Sequence, residues 1–120
     1  GKSVENVPAG LEALFRPSVQ PYLTSWFRYD PAAEIAKLPY RVLVVQGTHD
    51  IQVTEVDARK LAAAPNAKLV TLENMTHVLK VGPADPAGQI EGVYTDPALP
   101  LDPDLVSAVV SYVRTTSRVR

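Results

Sequence analysis

Arg41-Val42-Leu43-Val44-Val45-Gln46-Gly47-Thr48-His49-Asp50 is the stretch on which the reading of this chain turns. Arg41 to Gln46 reads as a short strand covered on both faces in a parallel sheet, because Val42 to Val45 are apolar without alternation. Gly47 to Asp50 then reads as the turn past the strand's end, with a carboxylate at its tip. A second apolar run, Ala67 to Leu72, precedes Met75-Thr76-His77 and delivers an imidazole in the same way. Between the two runs lies a helix signal. Thr54 is its cap, Asp57 stands at the third position, and Val53 can staple onto Ala58. The alanine run reaches Ala64, and Pro65-Asn66 stops it. Strand, helix and strand within about thirty residues make a βαβ unit, whose crossover is expected to be right-handed. Adjacent parallel strands would then present Asp50 and His77 at one rim, where open α/β sheets build sites.

Outward from this unit, punctuation residues divide the chain. Leu11, Leu14 and Phe15 suggest a helical turn or two, stopped by Pro17. Ser18 is a candidate cap for a helix from Val19 to Phe27, in which Tyr22, Leu23, Trp26 and Phe27 share a face. That face reads as core packing, with Trp26 or Phe27 lining an acyl pocket as the sharper alternative. Asp30-Pro31 opens a short helix to Lys37, a capping carboxylate followed by proline at the first helical position. Lys80 to Pro100 is rich in proline and glycine and reads as a long irregular loop, of the kind that is functional or mobile. Asp102-Pro103-Asp104 opens a final helix. Its apolar stripe is Leu105, Val106, Val109, Val110 and Val113, and Arg114, Arg118 and Arg120 suit its C-terminal end.

Composition narrows the function classes. A length of 120 residues is enough for one modest domain with a core. Twelve Lys and Arg against thirteen Asp and Glu leave a net charge of -1, so no basic field points to nucleic acid or an anionic membrane. With no cysteine, disulfides, thiolate catalysis and cysteine-based zinc sites are excluded. No apolar run approaches the roughly 20 residues of a spanning helix, and the N-terminus shows no signal-peptide layout. Gly1-Lys2-Ser3 looks like the end of a phosphate loop but lacks the earlier glycine and strand, so it reads as a chain boundary.

Asp50 and His77 have the residue types for two roles of a serine hydrolase. The imidazole takes the proton of a hydroxyl nucleophile, and the carboxylate holds that imidazole in one tautomer. The bland readings are a turn or cap residue for Asp50 and a histidine without a role for His77. His49, next to Asp50, reads as exposed loop. A metal site from His49, Asp50 and His77 lacks a close-spaced ligand pair and is disfavoured. Ser3, Ser18, Ser25, Ser107, Ser111 and Ser117 are the available hydroxyls, and none has the flanking glycines and preceding strand of a G-x-S-x-G elbow. The triad order Ser, Asp, His is therefore present only in its second half.

Four segments carry a resemblance: Leu14-Phe15-Arg16-Pro17-Ser18-Val19-Gln20-Pro21-Tyr22-Leu23, Ser25-Trp26-Phe27-Arg28-Tyr29-Asp30-Pro31, Val45-Gln46-Gly47-Thr48-His49-Asp50-Ile51-Gln52-Val53 and Met75-Thr76-His77-Val78-Leu79-Lys80. In this order, over nearly the whole chain, they look like the C-terminal part of α/β-hydrolase superfamily enzymes, nearest to a bacterial serine esterase/peptidase-like group. The resemblance implies an α/β fold, the C-terminal βαβα portion of a three-layer sandwich preceded by short helices. Residues 1–39 would be a helical segment leading into the core, or the remnant of a cap, and residues 40–120 the C-terminal part of the hydrolase domain. It also implies Asp50 as triad acid, His77 as triad base and Asn74 to His77 as the histidine loop. The expected substrate of the intact enzyme is a small-molecule ester, thioester or amide, with no cofactor, metal, nucleic acid or membrane. This chain alone would be inactive for want of a nucleophile, and its open sheet edge could pair with a second copy. The alternative is a non-catalytic hydrolase-like binding or interaction module.

Overall fold

The computed structural model describes residues 2–116; Gly1 and residues 117–120, with Ser117, Arg118 and Arg120 among them, lie outside the described residues. The chain runs α1 (Glu12–Phe15), α2 (Gln20–Trp26), α3 (Pro31–Lys37), β1 (Val42–Gly47), α4 (Glu55–Ala62), β2 (Ala67–Leu72), α5 (Pro86–Gly88) and α6 (Pro103–Thr116). A π-helical turn, Gln89–Val93, continues directly from α5. The fold is mixed α/β. Its described residues hold one two-stranded parallel sheet, in which Val42 pairs with Ala67 and Gly47 with Leu72.

The local signals act where they stand. Asp30 caps α3 by accepting from the Ala32 N–H at 3.0 Å, with Pro31 in the first turn. At α4, the Asp57 carboxylate accepts from the Thr54 hydroxyl at 2.8 Å and from the Thr54 N–H at 3.4 Å. Asp102 is buried and accepts from the Asp104 N–H at 2.8 Å, which ties down the start of α6. One cap differs from expectation: Val19, not Ser18, is the N-cap of α2, and no side chain bonds there. Pro21 in the first turn already removes one of the N–H groups a cap would satisfy.

Asn66, where the α4–β2 connection ends, fastens the N-terminal side of the sheet. Its Nδ2 lies within 3.0 Å of the carbonyls of Ile35, Leu38 and Tyr40, so two amide hydrogens serve three acceptors at the α3–β1 corner. Asn66→Ala releases all three carbonyls. The expected loss is about 1–2 kcal/mol, because two of the bonds are exposed and water replaces part of each. Urea denaturation measures it; an unchanged midpoint would show the corner to be held by the chain path alone.

Burial differs from the sequence-based expectation in three places. Val42 to Val45 are half-buried rather than covered on both faces, because α4 is the main helix packed on the sheet and α6 touches it only lightly. Tyr22, Trp26 and Phe27 are exposed, Phe27 at 88%. Their face is not core: Trp26 packs edge-on against Tyr22, with ring centroids 5.0 Å apart, and Phe27 lines a groove with Pro8, Leu11 and Phe15. On α6 the half-buried face is Leu105, Ala108, Tyr112 and Thr116, whereas Val106, Val109, Val110 and Val113 are exposed. Positions 105, 108 and 112 form one helical stripe, and the valines form a neighbouring one. The radius of gyration, 17.9 Å, exceeds the roughly 14 Å of a compact chain this long, which leaves these apolar faces uncovered.

The tightest packing lies at the C-terminal ends of the strands. Met75, Thr76 and Gln89 are the largest fully buried side chains, joined by Leu72, Val93 and Gln46. The segment expected to be an irregular loop, Lys80 to Pro100, supplies two of these residues, Gln89 and Val93, through the π-helical turn that continues from α5. Asp85 initiates that turn by accepting from the Gly88 N–H at 2.7 Å, a cap within a proline-rich stretch that conceals the helical signal.

Candidate active site

Asp50 and His77 meet. The parallel register sets Gly47 beside Leu72, so both chains leave the sheet at the same rim. The Thr48 N–H donates to the Leu72 carbonyl at 3.0 Å, the His49 N–H to the Met75 carbonyl at 3.1 Å, and the Asn74 N–H to the Thr48 hydroxyl at 2.8 Å. This close approach requires glycine at 47, because a Cβ there would lie 2.0 Å from the Met75 oxygen.

The histidine is carried on a tight hairpin. Met75 and Val81 form an antiparallel bridge, the Thr76 N–H and hydroxyl both donate to the Lys80 carbonyl at 2.9 Å, and the Leu79 N–H closes onto the Thr76 carbonyl at 3.0 Å. Asn74 and Leu79 adopt the left-handed region, with φ of 59° and 63°. For a leucine this conformation is strained, and it bends the chain back immediately after His77.

The carboxylate is fixed before it reaches the imidazole. Asp50 Oδ1 accepts from the N–H groups of Gln52 at 2.8 Å and Val53 at 2.9 Å. Oδ2 is then directed at His77 Nδ1, 3.0 Å away. The Asp50 side chain is 9% exposed and that of His77 40%, so the carboxylate is sheltered and the imidazole faces outward. Burial pushes the Asp50 carboxyl up. The Val53 N–H, the His77 hydrogen bond, the Gln52 N–H and the His77 charge together outweigh it and hold the group below its ordinary value. An ionised Asp50 can only accept, so Nδ1 carries a proton, and in the neutral ring it is Nε2 that presents the lone pair.

That lowering gives a pH prediction. Asp50 stabilises the folded chain fully above its ordinary value of 3.8, and this contribution is lost as pH falls through the lower folded value. Urea midpoints of the native chain and of Asp50→Asn should therefore differ near neutrality and converge in acid. Asp57 is also held low, by the Thr54 hydroxyl and N–H, but it is common to both proteins and cancels in the difference. A gap that stays constant below pH 4 would mean that the pairing contributes nothing.

A hollow of about 250 Å³ adjoins the pair, lined in part by Val44, Gly47, Met75 and Leu79 together with Asp50 and His77. Neither Trp26 nor Phe27 lines it. His49 is half-buried rather than exposed loop, and its Nδ1 donates to the Gly82 carbonyl at 2.7 Å. The described residues contain no cluster of three groups able to hold a metal ion, and no described helix is long and apolar enough to cross a membrane. Among the described serines, Ser25 and Ser107 donate to carbonyls of their own helices, Tyr22 and Pro103, and none bonds His77.

Comparison with family models, with curated proteins and with solved structures finds no match to this chain.

Two features of the site were beyond sequence reasoning. Gln89 is fully buried, and its Nε2 donates to the carbonyls of His49 and Pro83, each at 2.7 Å. Gln46 is buried at the end of β1 and donates to the Gly47 and Val53 carbonyls at 3.0 Å, closing the turn that holds Asp50. Glutamine among prolines and at a strand end carries no periodic signal. The nearest clue was that Gln46 ends an otherwise apolar run.

Proposed function

We propose that this chain is the acid/base part of a serine hydrolase, the C-terminal βαβα portion of an α/β-hydrolase sandwich. The observation that carries the reading is the 3.0 Å contact between Asp50 Oδ2 and His77 Nδ1, made from the ends of two adjacent parallel strands. His77 Nε2 would take the proton of a serine hydroxyl as it attacks an ester, thioester or amide carbonyl, and return it to the leaving group. A second proton transfer through the same nitrogen would let water release the acyl group. Asp50 would hold the ring and balance the imidazolium. The nucleophile must come from residues other than the described serines, so the chain alone would not turn over.

That same lack of a serine at His77 favours a second reading for the isolated chain: a hydrolase-like binding or interaction module, for which the open edge of β1 would offer a strand-pairing surface.

The test extends the chain by whatever its reading frame encodes upstream of Gly1 and measures hydrolysis of a short-chain p-nitrophenyl ester. Activity that disappears in His77→Ala supports the hydrolase. Equal turnover in that variant, or an extension with no serine elbow and no hydrolysis, gives the ground to the binding module.

A further inference from the structure

The residue before Asp50 is held at three points. His49 donates its backbone N–H to the Met75 carbonyl at 3.1 Å and its Nδ1 proton to the Gly82 carbonyl at 2.7 Å. Its own carbonyl receives the Gln89 amide at 2.7 Å. Thus His49 touches the histidine loop, the segment that follows that loop, and the π-helical turn beyond.

Gln89 is the other end of this bracket. It is 0% exposed, and its Nε2 joins His49 to Pro83. Both partners are carbonyls, so the nitrogen and not the oxygen must face them, and the amide orientation is unambiguous. A π-helical turn is uncommon and recurs at functional sites; here it is the element that turns Gln89 inward. The intervening strap lies close against the histidine hairpin: a Cβ on Gly82 would meet Thr76 and Val93 methyls at 2.8 Å, and the Gly82 N–H donates to the Asn74 carbonyl at 3.0 Å.

We infer that His49 and Gln89 are positioning residues, a bracket that locks the acid loop to the histidine loop and so keeps the Asp50 carboxylate facing His77. This rests on the reading of Asp50 and His77 as the working pair. Neither bracket residue touches the pair's facing atoms; they act through the backbone on either side. Rotation of the Asp50 tip would cost both the Gln52 and Val53 N–H bonds and the His77 contact, and a residue anchored at N–H, carbonyl and side chain is what prevents it.

The test follows the Asp50 carboxyl by 13C NMR titration in the chain as it stands. In Gln89→Met and His49→Ala its midpoint should rise toward the ordinary value for a carboxyl. In His49→Asn, whose amide nitrogen can occupy the place of Nδ1, the depressed midpoint should be retained. Asn66→Ala, which weakens the far end of the sheet, serves as the stability control and should leave the midpoint unchanged. If Gln89→Met does not fold, the His49→Ala and His49→Asn pair decides the matter. Midpoints unmoved in the bracket variants, or moved as far by Asn66→Ala, would overturn the inference. The readout needs no turnover, so failure of the hydrolase assay would not be confused with failure of the bracket.

Discussion

If Asp50 and His77 work as proposed, Asp50→Asn in an extended protein that supplies a serine nucleophile is expected to lower kcat about 10⁴-fold, the scale seen when a triad carboxylate becomes an amide. The structure gives a particular reason for so large an effect here. Oδ1 accepts two backbone N–H bonds, from Gln52 and Val53. An asparagine must keep its oxygen on that side, because its NH₂ would face two donors. The NH₂ is therefore left facing His77 Nδ1, which must now accept. The ring proton moves to Nε2, the nitrogen that the proposed mechanism needs to receive the serine proton, so general-base catalysis would be lost while the fold remains. His77→Ala should be at least as severe. Steady-state kinetics at neutral pH measure both. An Asp50→Asn enzyme within tenfold of the parent would show that the carboxylate does not set the tautomer.

The second large effect is structural. Gly47→Ala is expected to destabilise the chain by about 3 kcal/mol or more, at or beyond the upper end of ordinary overpacking. The added methyl would lie 2.0 Å from the Met75 carbonyl oxygen and 2.6 Å from its carbon. Both are backbone atoms, so no rotamer change can relieve the clash. The same oxygen accepts the His49 N–H, and forcing it away unfastens the loop that carries Asp50 from the loop that carries His77. Urea denaturation gives the stability loss, and the Asp50 carboxyl titration gives the loss of pairing. A cost below 1 kcal/mol would mean that the two loops can separate without consequence.

The two effects differ in what they ask of the fold. Asp50→Asn changes a proton's address in an intact site, whereas Gly47→Ala removes the proximity on which the site depends. Together they distinguish chemistry from placement, which neither does alone.

Much of the chain was legible from its residues because the signals are short-range. Asp30-Pro31, Thr54 with Asp57, and Asp102-Pro103 act within about one helical turn of where they stand. The two apolar runs become β1 and β2 within a residue of their expected limits. The loop tips carrying Asp50 and His77 follow from strand direction, since two parallel neighbours joined by a helix must release their chains at the same end. The irregular look of Lys80 to Pro100 hid a capped turn because prolines and glycines mark breaks more clearly than they mark a π-helical segment.

What the residues by themselves determined is the order of the strands and main helices, the caps at Asp30, Thr54 and Asp102, and the delivery of a carboxylate and an imidazole to one rim. Tertiary structure alone decided that the two would touch, with Oδ1 held by the Gln52 and Val53 N–H groups and Oδ2 left for His77. It decided likewise that His49 and Gln89 would turn inward while Trp26, Phe27 and Val106 stay exposed. The physical reason is range. A cap or a turn is satisfied by atoms a few residues away, but burial, pairing and orientation depend on which distant surface arrives, and that is set only when the chain has folded.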